Sequence, residues 1–134
     1  MCAQARYAAL QRLAHLGQQI ESRRRPDPYP RPTGPPPSLE ELRRRRDEVT
    51  RISAPRGGLT VRVFGSVARG DSDPSSDLDL LVEMRNGTTL FEQAALQGDL
   101  EDLLGCRVHV LTTSGLRHAS EGTREQIERE AVLL

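Results

Sequence analysis

The sequence predicts an α/β (α+β) fold: a small sandwich in which helices flank a short mixed sheet, with a helical arm in front. Three observations predict it. Over residues 38–134 the apolar spacing alternates between helical and strand periods in the order α-β-α-β-α-β-α, the pattern of a layered α/β domain. Seven of the nine prolines fall within residues 23–37, where they support neither helix nor sheet. A length of 134 residues suits one ordinary domain, or a smaller domain with an arm. The expected organisation is an N-terminal helix at 1–22, a Pro- and Arg-rich linker at 23–37 and the main domain at 38–134.

The elements follow in order. Ala3, Tyr7, Leu10, Leu13, Ala14, Gly17 and Ile20 share one helical stripe, suited to covering part of the domain or a dimer partner; His15 falls on the polar side. The linker RRRPDPYPRPTGPPP is expected to be a stiff, extended, solvated spacer, so that residues 1–37 are dispensable for the main fold. Ser38-Leu39-Glu40-Glu41 is a capping box that opens a helix. That helix has a thin apolar stripe (Leu39, Leu42, Val49, Ile52) and a solvated face at Arg43–Arg46, and it ends at Pro55 and Gly57-Gly58. Val61, Val63 and Phe64 begin a strand, and Asp77–Val82 reads as the next. Arg85-Asn86-Gly87 is a turn before a helix at Leu90–Leu104, with Gly105 as its stop. Arg107–Thr112 alternates as a third strand, and Glu125–Leu134 is expected to form a closing helix that buries Ile127, Ala131, Val132 and Leu134. Crossovers of these lengths permit parallel neighbours but leave the strand order open.

Composition removes several functional classes. No apolar run reaches the length of a membrane span, and the start MCAQARYAAL lacks the layout of a secretory signal. Cys2 and Cys106 are far apart and without metal-type spacing, so two reduced thiols and a cytoplasmic location are expected. The zero net charge divides into +6 over residues 1–60 and −6 over residues 61–134. The basic half invites a nucleic-acid reading, but two Phe, two Tyr and no Trp offer no stacking platform, and no direct nucleic-acid binding is expected.

The chemistry concentrates in Val61–Val82, VRVFGSVARGDSDPSSDLDLLV. Gly65 permits close approach of backbone to a ligand. Ser66 stands where a strand gives way to a helical turn, so that free N–H groups and its hydroxyl suit phosphate oxygens. Arg69 follows as a phosphate partner or a surface charge. Asp77 and Asp79, two apart on a strand, project from one face. Two carboxylates with triphosphate oxygens completing the shell suit Mg²⁺.

An apolar residue, Gly65-Ser66, a spacer and then Asp77-Leu78-Asp79 among apolar residues closely resemble the signature of the DNA-polymerase-β-type nucleotidyltransferases. The fuller string FGSVARGDSDPSSDLDLLV resembles the minimal nucleotidyltransferases (MNT type), many of which are antitoxins paired with HEPN-domain ribonuclease toxins. The resemblance covers Val61–Val82 clearly and runs more weakly to Leu134. It implies a nucleotidyltransferase sandwich that binds ATP with Mg²⁺, or Mn²⁺, on Asp77 and Asp79. It implies transfer of AMP to a tyrosine hydroxyl of a HEPN toxin. Family members that modify small hydroxyl compounds such as aminoglycosides carry a further helical domain, for which this chain is expected to be too short.

One position departs from the family pattern. The family draws a third carboxylate from the next strand, whereas Val108-His109-Val110-Leu111 carries His109 there. An imidazole supplies no negative charge, and Mg²⁺ prefers oxygen. His109 then serves as a general base, binds a softer ion, or plays no part. Glu83, Asp99, Glu101 and Asp102 are the other candidates for the third oxygen. If the site is weakened, the chain neutralises its toxin by covering it rather than by catalysis.

Overall fold

A computed structural model describes residues 31–134; the predicted arm and the first part of the linker lie outside the described residues. Among the described residues there are six α-helices and four strands, against the four helices and three strands that the alternating periods predict. Helix α1 (Leu39–Arg44) is capped by Ser38, whose Oγ accepts the Glu41 N–H at 3.1 Å. The expected single helix is interrupted at Arg45 and resumes as α2 (Arg46–Ser53). Arg45 is not part of a purely solvated face: its guanidinium donates to Leu103 O at 3.2 Å and to Glu48 at 2.9 Å. A 3₁₀ turn (Ala54–Arg56) leads into β1 (Gly58–Phe64), followed by the short helix α3 (Gly65–Arg69) and β2 (Leu78–Met84). Helix α4 (Leu90–Leu104) starts on a Thr89 cap and stops where Gly105 adopts φ 66°. Strand β3 (Val108–Thr112), a turn-length helix α5 (Thr113–Leu116), α6 (Glu121–Glu130) and β4 (Val132–Leu133) complete the chain.

The sheet order is β3-β2-β1-β4. Strands β1 and β2 are antiparallel, β2 and β3 are parallel through the α4 crossover, and β4 pairs antiparallel with β1. The sheet is therefore mixed, as expected. The closing helix is a correction: it spans 121–130, and Val132–Leu133 is strand rather than helix. Ala131 turns extended (φ −63°, ψ 127°), and the open edge of β1 then offers partners, with Leu134 N–H donating to Val61 O at 3.2 Å. Helix α5 lacks any periodic signal because it is one turn long.

Side-chain alternation sorts the strands into two faces. Val63, Leu78, Leu80, Val82, Val108 and Val110 face the main core against Leu42, Val49, Leu96 and Leu100. Phe64 and Leu81 face the other side, where Leu116 and Ile127 cover them. Burying each of these side chains contributes roughly 1.5–3 kcal/mol. Asp77 and Asp79 have the parity of Leu81 and so lie on the second face, where this smaller apolar cover runs out.

The described end of the linker differs from a free solvated spacer. Arg31 Nε and Nη2 donate to Glu101 Oε2 at 2.9 and 2.5 Å, Nη2 also reaches Val108 O at 3.2 Å, and Gly34 bridges to Cys106 in parallel. A buried carboxylate on α4 draws the cation in, since a buried charge needs a partner. Among the described residues, no helix is long and apolar enough to cross a membrane.

Candidate active site

Strand β1 delivers Gly65 to the lip of a cavity of about 490 Å³, which is lined by Gly65, Ser66, Arg69, Asp77, Asp79 and Glu130 among others. Gly65 sits at φ +73°, and a Cβ built there would collide with Asp79 Oδ2. Only glycine lets the backbone pass over that carboxylate without strain. Here the close approach is to the site's own aspartate.

Asp77 and Asp79 flank the buried Leu78 at the start of β2, so strand alternation turns both carboxylates toward the cavity. Asp77 Oδ1 lies 3.4 Å from Arg107 Nε. Asp79 is register partner to His109 on β3, with His109 Nδ1 3.3 Å from Asp79 Oδ1. That hydrogen bond and the negative charge of Asp79 raise the His109 pKa above its ordinary value, against the opposing effect of burial.

His109 touches Asp79 but does not itself line the cavity, and neither do the other candidates for a third oxygen. Glu83 bonds Thr60, Asp99 pairs with Arg56 at 3.0 Å, and Glu101 is buried on Arg31 and the Val108 N–H. Asp102 is exposed on α4. Among the described residues, no three His, Cys, Asp or Glu side chains converge as a metal cluster. The Asp77 and Asp79 carboxylates fit a hard divalent ion, which would draw its remaining ligands from substrate and water.

Sequence reasoning missed Glu130. Its Oε1 accepts from Arg69 Nη1 at 2.9 Å and from Gln126 Nε2 at 3.2 Å, while its Oε2 accepts the Gly65 N–H at 3.3 Å. Gln126 and Arg69 hold this carboxyl below the usual carboxylate range. Arg69 also donates to Asp71 at 3.2 Å, so both of the acids it meets keep it charged. No local pattern marks Glu130, because it reaches the cavity only when α6 folds back across the sheet.

The family model described as a nucleotidyltransferase domain matches residues 42–134. The candidate protein adenylyltransferase MJ0435 of Methanocaldococcus jannaschii is 32% identical over 95 residues, covering 71% of this chain and 96% of that protein. The protein adenylyltransferase MntA of Thermococcus cleftensis is 36% identical over 76 residues, covering 57% of this chain and 74% of that protein. A solved structure described as a candidate minimal nucleotidyltransferase is 47% identical, with a TM-score of 0.62, over 73% of this chain and 97% of that one. A toxin–antitoxin crystal structure with AMP-PNP is 21% identical with a TM-score of 0.53, over 67% of this chain and 69% of that one, and shares the fold. A match over the whole of β1–β4, with a relative aligned along nearly its full length, shows that the chain belongs to the nucleotidyltransferase domain family and is a nucleotidyltransferase.

Proposed function

We propose that the chain is the antitoxin of a toxin–antitoxin pair and that it transfers AMP from ATP to a tyrosine hydroxyl of a cognate HEPN ribonuclease toxin in the cytoplasm. The observation that carries this reading is the convergence of Gly65-Ser66 and the Asp77/Asp79 pair on one cavity. Relatives named protein adenylyltransferase support a protein acceptor, and the toxin–antitoxin neighbour with AMP-PNP supports the partner and the nucleotide.

In this reading the triphosphate lies against Gly65 and Ser66, with Arg69 beside it. Asp77 and Asp79 hold Mg²⁺ or Mn²⁺, which would neutralise charge developing on the phosphates. The acceptor oxygen attacks the α-phosphorus, the bond from that phosphorus to the bridging oxygen breaks, and pyrophosphate leaves with the electron pair. The hydroxyl proton passes to His109, the basic side chain next to Asp79.

The test is the intact mass of the partner after incubation with ATP and Mg²⁺ or Mn²⁺. A gain of one or more AMP units that disappears with Asp77→Ala or Asp79→Ala supports the assignment. No gain with either ion, while the partner is still silenced, favours the second reading, neutralisation by binding. The observation favouring that second reading is the imidazole of His109, rather than a carboxylate, beside Asp79.

A further inference from the structure

Among the described residues three carboxylates line the cavity, and Glu130 is the one that bonds Gly65 and Arg69. Each of its oxygens is bound. One takes the Gly65 amide at 3.3 Å, and the other takes the Arg69 guanidinium at 2.9 Å and the Gln126 amide at 3.2 Å. A carboxylate that bridges a backbone N–H and a guanidinium uses the same donors that two oxygens of a phosphate would use. Glu130 is the last residue of α6, and β4 pairs with β1 two residues later, so the backbone carrying it is fixed while its side chain keeps three rotatable bonds. Its side chain is 17% exposed, which leaves an outward path.

We propose that Glu130 is a built-in competitor of the triphosphate: it occupies the Gly65 amide and Arg69 in the nucleotide-free chain and is displaced from both by the incoming phosphates. The inference rests on the reading above that the phosphates lie against Gly65-Ser66. Arg69 keeps Asp71 as a second acceptor at 3.2 Å, so it stays oriented when Glu130 lets go. When pyrophosphate leaves, Glu130 returns to the vacated donors, which opposes rebinding of product. A base role for Glu130 fits the geometry less well. A carboxylate held ionised by a guanidinium and two amides is a weak proton acceptor.

The experiment is calorimetric titration of the full chain with α,β-methylene ATP and Mg²⁺, for the natural protein, Glu130→Gln and Glu130→Ala, with ¹H–¹⁵N spectra of the natural protein alongside. Removing one negative charge next to the phosphates is expected to tighten binding about three- to tenfold in Glu130→Gln, and at least as much in Glu130→Ala. Unfolding temperatures should stay close to natural for Glu130→Gln. If the Gly65 amide signal shifts on titration but neither variant binds more tightly, the competitor role is overturned while the phosphate site stands. If the Gly65 amide does not respond to the analogue, the phosphate placement itself is wrong, and the competitor role falls with it. Weaker binding together with a lowered unfolding temperature in both variants would make Glu130 a structural brace and would also overturn the proposal.

Discussion

Replacing Arg31 by alanine tests how firmly the linker belongs to the domain. Glu101 is 1% exposed, and its Oε1 has no hydrogen-bond partner among the described residues. Its Oε2 depends on Arg31 Nε at 2.9 Å, on Arg31 Nη2 and on the Val108 N–H at 3.0 Å. Among the described residues, Arg31→Ala leaves this buried carboxylate with the Val108 amide as its donor. Breaking a buried pair from one side costs about 3–5 kcal/mol. The Arg31 side chain is 29% exposed, so water entering its place solvates Glu101 in part, and the discounted expectation is about 2–3 kcal/mol. For a domain of this size that lowers Tm by about 10–20 °C. Urea unfolding with an unchanged m-value gives the free energy directly. The double variant Arg31→Ala/Glu101→Gln should recover part of the loss, because it removes the orphaned charge. A chain beginning at residue 38 should lose stability like Arg31→Ala, and we accordingly place the energetic boundary of the domain before Arg31. If Arg31→Ala unfolds within about 0.5 kcal/mol of the natural chain, as ordinary surface substitutions do, the pair contributes nothing and this reasoning is refuted.

Three further outcomes are expected. Gly65→Ala drives a Cβ into the Asp79 carboxylate at a backbone angle that alanine resists, so stability should fall by about 1–3 kcal/mol with transfer lost; a variant that is fully active and equally stable would contradict the close approach. His109→Asp supplies an oxygen ligand and a negative charge beside Asp79, so Mg²⁺-dependent transfer should rise about ten- to a hundredfold, whereas a slower variant would mean that the imidazole is needed as it stands. The third outcome follows from linkage in EDTA. The His109 pKa is raised by folding, so its pairing with Asp79 stabilises fully below the unfolded value of 6.5, and the contribution fades as pH climbs through the folded value. The Tm gap between the natural chain and His109→Gln should therefore be wider near pH 5.5 than near pH 8.5, and an equal gap at both would show that the pair carries no such linkage.

Local chemistry was readable in the sequence wherever a rule of short range governs it. Helix α4 runs over the predicted Leu90–Leu104 because a Thr cap, an apolar stripe and a left-handed Gly105 all act within one element. Asp77 and Asp79 share a face because alternation in a strand needs no tertiary information. The site's other half depends on contacts across the chain. Glu130 meets Gly65 across 65 positions, and Arg31 meets Glu101 across 70. Val132–Leu133 has the composition of a helix end as much as of a strand, and only the open edge of β1 decides between them. The described end of the linker shows the same limit: its prolines point to an extended segment, but they do not reveal that Arg31 has a buried acid to meet.

The charges of the site form a consistent set when taken as partners. Each of these cavity carboxylates faces a base from another element: Asp77 faces Arg107, Asp79 faces His109 and Glu130 faces Arg69. Three close acids would otherwise repel, and these pairings allow them to share one cavity before any ligand arrives. Under the proposed function, a divalent ion and a triphosphate exchange those partners. The ion takes Asp77 and Asp79 from Arg107 and His109 at the start of β3, while the phosphates take Arg69 and the Gly65 amide from Glu130. Cation and anion thus each displace a pairing of their own sign, and neither is favoured without the other. Nucleotide and metal should therefore bind with positive coupling, a property that follows from the paired resting state and not from any single ligand.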